Sequence, residues 1–125
     1  NLSANDDNVA AIVAAGGIEV LVSLARDGNE RQKEGAAGAL WNLSANDDNV
    51  AAIVAAGGIE VLVSLARDGN AVQKERAAGA LWNLSDNDDN SVAIAAAGGV
   101  EVLISLARDG AKGQKEEAAG ALWNL

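Results

Sequence analysis

The chain has 125 residues, half of them apolar, and a net charge of −9. It contains no Cys, His, Met, Pro, Phe or Tyr, and its only aromatics are three Trp. Disulfides, tight zinc or copper sites, histidine acid/base chemistry and a Ser/His or Cys/His nucleophile therefore have no residues to use, and neither a cofactor nor a metal is implied. The negative charge repels phosphate backbones, so nucleic acid is not an expected partner, and it mildly favours basic ligands through a field that salt screens. No apolar run is long enough for a membrane span, so no membrane partner is expected. The sequence carries no signal peptide and no starting Met, and reads as an excised or engineered piece whose compartment is not indicated.

In chain order, a first helix is expected from about Asp6 to Ala15, with Asn5 as its N-cap and two Asp where the helix dipole favours negative charge. Val9, Ile12 and Val13 share its apolar face. Gly16-Gly17 breaks the helix, because glycine accepts the left-handed conformation that ends helices. A second helix follows from about Ile18 to Arg26, with Val20, Leu21 and Leu24 as its buried stripe. Asp27-Gly28 is a turn signal, and Asn29 caps a third helix from about Glu30 to Leu43. At about 100° per residue, Ala36, Leu40 and Leu43 of that helix point into a core. Arg31, Gly35, Gly38 and Asn42 fall opposite, within an arc of roughly 60°, and Trp41 lies on the flank with Glu30 and Glu34.

The whole pattern then returns. The string that begins at Ala39 and ends at Ser44 starts again at Ala80 and at Ala121, a step of 41 residues each time. The units are 1–41, 42–82 and 83–123, with 124–125 finishing the last helix, and together they make one domain, 1–125. A period near 40 residues fits a helical solenoid or a propeller blade, and the dominance of Ala favours helix. The first two units differ at three positions, Glu30/Ala71, Arg31/Val72 and Gly35/Arg76. The third differs from the first at ten; one of these replaces the cap Asn29 by Ala111, which weakens that helix start.

A short helix, a Gly-Gly break, the run from Ile18 to Gly28 and the Gln-Lys-Glu to Ala-Leu-Trp-Asn-Leu-Ser segment resemble an armadillo repeat along its whole length, three times over. The resemblance is to the β-catenin-like and plant-type branch. It implies an all-α fold, a right-handed α-solenoid of three armadillo repeats with three helices each, whose third helices line a concave groove for an extended peptide running antiparallel to the stack. In the family an asparagine on each third helix holds the peptide main chain; by motif position this is similar to Asn42, Asn83 and Asn124, with Asn1 the remnant of a preceding unit. The importin-α branch carries a tryptophan four residues earlier, where this chain has Gly38, Gly79 and Gly120. Its tryptophans, Trp41, Trp82 and Trp123, instead precede the asparagine directly, which argues against recognition of nuclear localisation signals.

The expected groove set is therefore Asn42, Asn83, Asn124, Trp41, Trp82, Trp123, Arg31, Gly35, Gly38, Val72, Arg76, Gly79, Gly113 and Glu117. An amide can pair with a peptide N–H and C=O together, and glycines admit close backbone approach. The tryptophans serve either as a groove wall or as packing between repeats; the residues alone do not choose. Of the differences between the first two units, Arg31/Val72 and Gly35/Arg76 fall on this stripe and Glu30/Ala71 on the Trp flank, as expected either of a surface that meets ligands or of exposed positions that drift. Asp86, Asp88 and Asn90 imitate the start of a calcium loop, but Ser91 stands where that loop needs Gly and Ala97 where it needs Glu. The expected function is a peptide- or protein-binding scaffold and not an enzyme. The alternative is an engineered structural module without an evolved ligand. Its terminal units repeat the apolar pattern of the middle one, so end-to-end association is expected as well.

Overall fold

A computed structural model describes residues 16–125, which form eight helices and no strand. We number them α1 (Gly17–Asp27), α2 (Glu30–Leu43), α3 (Asp47–Ala55), α4 (Gly58–Asp68), α5 (Ala71–Leu84), α6 (Asp88–Ala96), α7 (Gly99–Asp109) and α8 (Lys112–Asn124). The expected helix at Asp6–Ala15, its cap Asn5 and the remnant Asn1 lie outside the described residues. Their counterparts α3 and α6 begin at Asn46 and Asn87, whose side chains accept from the N–H of Asp48 at 2.8 Å and of Asn90 at 3.2 Å.

The glycine pairs act as the pattern requires. Gly16, Gly57 and Gly98 have φ of 77°, 86° and 85°, a left-handed conformation that a side chain would strain. At the second glycine of the later pairs, Gly58 and Gly99, a Cβ would crowd the side chain and carbonyl of Ile53 and Ile94. The absent side chain thus lets the first helix turn tightly into the second, at 84° and 85°. The third helices begin with reciprocal caps: Asn29 and Asn70 each accept from the Gln32 or Gln73 N–H at 2.9 Å, and the glutamine side chain accepts in return. At the third unit alanine has no oxygen to offer, and only the return bond from Ala111 N–H to Gln114 Oε1 remains, at 2.9 Å.

The units stack in series. Third helices α2, α5 and α8 lie side by side as a ladder, second helices α1, α4 and α7 form a layer behind them, and α3 and α6 wedge between successive second helices. Ala37 and Ala78 sit fully buried in the ladder, where a larger side chain would push the helices apart. Ala36, Leu40 and Leu43 are buried as expected.

The stripe expected on the second helix needs correction. In α1 the buried residues are Ile18, Val22 and Ala25; Leu21 and Leu24 are half-buried and Val20 is exposed. In the middle unit Val61, Leu62 and Leu65 are all buried, together with Ile59, Val63 and Ala66. The two helices have the same sequence, and a helix with units on both sides buries a wider arc of it, so the expected stripe is buried in full in α4 but not in α1.

Candidate functional site

Of the residues singled out in the sequence, Arg31, Gly35, Asn42, Val72, Trp82 and Trp123 on the α2–α5–α8 ladder are exposed, Gly79 is buried and the others are partly covered. At the N-terminal end of the ladder lie Arg31, Gly35 and Val72, all exposed, with Gly113 and Glu117 partly covered. The positions that separate the first two units, 30/71, 31/72 and 35/76, all sit here, in the first two turns of α2 and α5.

The tryptophans and glycines form one device between units. The Trp41 indole lies where a Cβ on Gly79 would be, and the Trp82 indole occupies the same place at Gly120. Each indole packs one face on the next third helix, while Trp41 stays half-buried and Trp82 exposed. The close approach expected from a ligand backbone at Gly79 is therefore made by Trp41, which buries that glycine; this corrects the expected role of Gly79. Over Gly38, among the described residues, lies no indole; the nearest group is the Arg76 guanidinium, 3.2 Å from the Cβ position.

The asparagines also turn toward the preceding unit. Asn83 Nδ2 donates to the Trp41 carbonyl at 3.3 Å and to Ser44 Oγ at 3.1 Å. Ser44 in turn donates to the Trp41 carbonyl at 2.7 Å. A carbonyl only accepts, so this network fixes the amide with its nitrogen inward and Oδ1 free to accept. Asn124 Nδ2 repeats the arrangement with Ser85 Oγ and adds Asp86 Oδ1, each at 3.0 Å. Asn42 is exposed. An amide that clasps a ligand N–H and C=O at once, as the sequence suggested, would have to give up these bonds at Asn83 and Asn124.

Other cross-unit bonds involve Gln73, Gln114 and Asn70, to which the sequence reading gave no cross-unit role, and Arg76, which it placed in the groove. Gln73 Nε2 donates to the Glu30 carbonyl and Gln114 Nε2 to the Ala71 carbonyl, both at 3.0 Å. Arg76 reaches back to the Glu34 carbonyl at 2.7 Å, and Asn70 donates to Glu34 Oε2 at 2.8 Å. The signal available was the recurrence of Gln and Ser at fixed positions of every unit. Where the second unit has Arg76 the third has Glu117. Its carboxyl is pushed above the usual range, first by burial and then by the negative charges of Glu75 and Glu116. The Glu75 carboxylate also fills the space beside Gly113.

Three-helix units stacked in series and joined at fixed positions define an α-solenoid. The armadillo/beta-catenin-like repeat family matches residues 5–45, 46–86 and 87–125, and the chain belongs to that family. These matches keep the step of 41 residues, with boundaries four residues later than ours (5 against 1, 46 against 42). No curated protein matches the chain in sequence. Among solved structures, an engineered protein from the Northeast Structural Genomics Consortium is 42% identical, with a TM-score of 0.88 over 96% of this chain and 49% of that one. Computationally designed armadillo repeat proteins for modular peptide recognition are 25% identical, with a TM-score of 0.89 over 96% of this chain and 51% of theirs. A designed armadillo repeat protein in complex with the peptide (KR)4 has a TM-score of 0.87 at 24% identity and the same coverage, a likeness of fold. The chain thus spans about half the length of these structures. Its near-identical units and reduced alphabet fit an engineered, consensus-type array.

Proposed function

We propose that the chain is a peptide-binding scaffold, with an extended peptide or protein segment lying along the exposed face of α2, α5 and α8. The observation that carries this reading is where the first two units differ: at Arg31/Val72 and Gly35/Arg76 on the arc opposite the core, and at Glu30/Ala71 on its flank. The buried stacking positions of those two units are identical. The similarity to designed armadillo proteins made for modular peptide recognition supports the same use of the fold.

In this reading the asparagines act through Oδ1, each accepting one main-chain N–H, because Nδ2 of Asn83 and Asn124 is held by the preceding unit. Trp41, Trp82 and Trp123 flank the ligand side chains with their outer faces. Arg31 and Arg76 favour an acidic residue along the first two units, and Glu117 a basic one at the third. The role is binding, not catalysis.

The test is a display screen with extended peptides, followed by affinity measurement by Trp fluorescence. Asn42→Ala should weaken the selected peptide by about 0.5–1.5 kcal/mol, the net worth of one hydrogen bond. Asn42 is exposed, whereas Asn83 and Asn124 are partly buried and bonded to the preceding unit, so its replacement should disturb the melting temperature less than theirs. Unchanged affinity in this variant would remove Asn42 from the site, and unchanged affinity in Asn83→Ala as well would remove the asparagines from it.

A further inference from the structure

We propose that the chain associates head to tail, the outer face of its third unit docking on the outer face of the first unit of a second copy. The two contacts inside the molecule show what each face is built to meet. Val22 and Val63 face the following unit and are each 1% exposed, whereas their counterpart Ile104 is 45% exposed. Ala37 and Ala78 are fully buried, but Ala119 is exposed. Trp123, whose counterparts lie on Gly79 and Gly120, is 90% exposed. The opposite face mirrors this: Val61 and Val102 are buried against the preceding unit at 6% and 8%, while Val20 is 58% exposed.

The occupant follows from continuity. Each internal contact seats a tryptophan on a third-helix glycine and a glutamine amide on a helix carbonyl of the previous unit. Continued by one step, Trp123 seats on Gly38 of a second copy, and Gln32 of that copy donates to the Lys112 carbonyl. Gln32 is exposed, and among the described residues the atoms nearest a Cβ position at Gly38 are those of the Arg76 side chain, whose Nη1 bonds the Glu34 carbonyl. A planar guanidinium stacks well on an indole, so Arg76 can remain as a side wall of that socket. An apolar face built to receive an armadillo unit, on a molecule that presents the complementary armadillo face, fits a second copy of itself. The resulting contact is heterologous and does not close on itself, so chains longer than two are expected.

Sedimentation velocity over a range of concentrations tests this. The unmodified chain should grow beyond dimers as concentration rises. Ile104→Glu spoils one face and Val20→Glu the other; both positions are exposed, so circular dichroism should show both variants folded. Each variant alone should be monomeric, with association weakened about 30-fold or more, as for loss of an interface anchor. Mixed together, they should form one-to-one dimers and nothing larger, because one good face of each kind remains. Trp123→Ala should give the same loss as Ile104→Glu. A mass that stays monomeric for the unmodified chain would overturn the proposal. So would dimerisation of Val20→Glu alone, which would mean a symmetric contact between like faces, or failure of the two variants to pair.

Discussion

The middle unit and the third unit have nearly the same residues at their stacking positions, yet they bury them differently. Val63 is enclosed where Ile104 is open, Ala78 where Ala119 is open, and the Trp82 indole rests on a helix that Trp123 lacks. Local sequence builds the same three helices in both. What differs is the neighbour, so burial in this molecule belongs to a position in the stack more than to a residue type. This is the behaviour of a quasi-one-dimensional protein, in which stability is close to a sum of unit terms and contact terms between neighbours.

The sharpest way to break that comparison is to remove the same leucine from each unit. Leu81 is fully buried, and Leu122, its counterpart, is half-buried at the end of the stack. Leu81→Ala should cost about 2–5 kcal/mol, the usual range for a core leucine, and Leu122→Ala clearly less. Urea unfolding at low protein concentration measures both. Equal losses would mean that the terminal unit is as tightly held as the middle one.

The glycines of the ladder give a contrast of sign. Gly79→Ala puts a methyl into the Trp41 ring, and overpacking of this kind costs about 1–3 kcal/mol, partly offset by the better helix propensity of alanine. Gly35 lies in a helix with nothing within 4 Å of its Cβ position, so Gly35→Ala should stabilise by up to about 1 kcal/mol. Opposite shifts in melting temperature are the expected result. A smaller gain should come from Ala111→Asn, which restores the oxygen that Asn29 and Asn70 present to the third turn residue. It should add about 1 kcal/mol or less, with the extra protection of α8 visible by amide hydrogen exchange.

Much of this architecture is legible in one unit of sequence, because its signals are local. Asn29 and Leu43 bound the third helix where caps and periodicity place them, and the Gly-Gly pairs break the chain as their conformational freedom requires. Contacts between units were less legible. On a helical wheel Asn83 falls on the arc opposite the core and Trp41 on its flank. That Asn83 also turns its nitrogen to Ser44, 39 residues earlier, and that Trp41 covers Gly79, depends on how far one unit is translated and rotated on the next. The wheel carries no information on that step. Val20 shows the same limit: its apolar character announces a buried side, but only a preceding neighbour, as at Val61, buries it.

The smallest expected effect sharpens the comparison electrostatically. Arg76 in the second unit bonds the Glu34 carbonyl, whereas Glu117 at the same place in the third meets the negative charge of Glu75. Burial and that charge raise the Glu117 pKa in the folded chain above its ordinary value of 4.5. Between those two pKa values the folded state holds the proton more firmly than the unfolded state, so the unfolded state binds fewer protons there. The contribution of Glu117 is thus fully present below the ordinary glutamate range and is lost as pH rises through the raised value. At about pH 7, well above the ordinary glutamate range, Glu117→Gln should therefore raise the melting temperature slightly, because a neutral amide carries no repulsion against Glu75. At pH below that range both side chains are neutral and the difference should vanish. Glu117 is only partly covered, so the gain should shrink in high salt. Melting curves of both proteins across this pH range, at two salt concentrations, read the effect directly. A Gln variant less stable than the parent at neutral pH would show that Glu117 has a favourable ionic partner that outweighs Glu75.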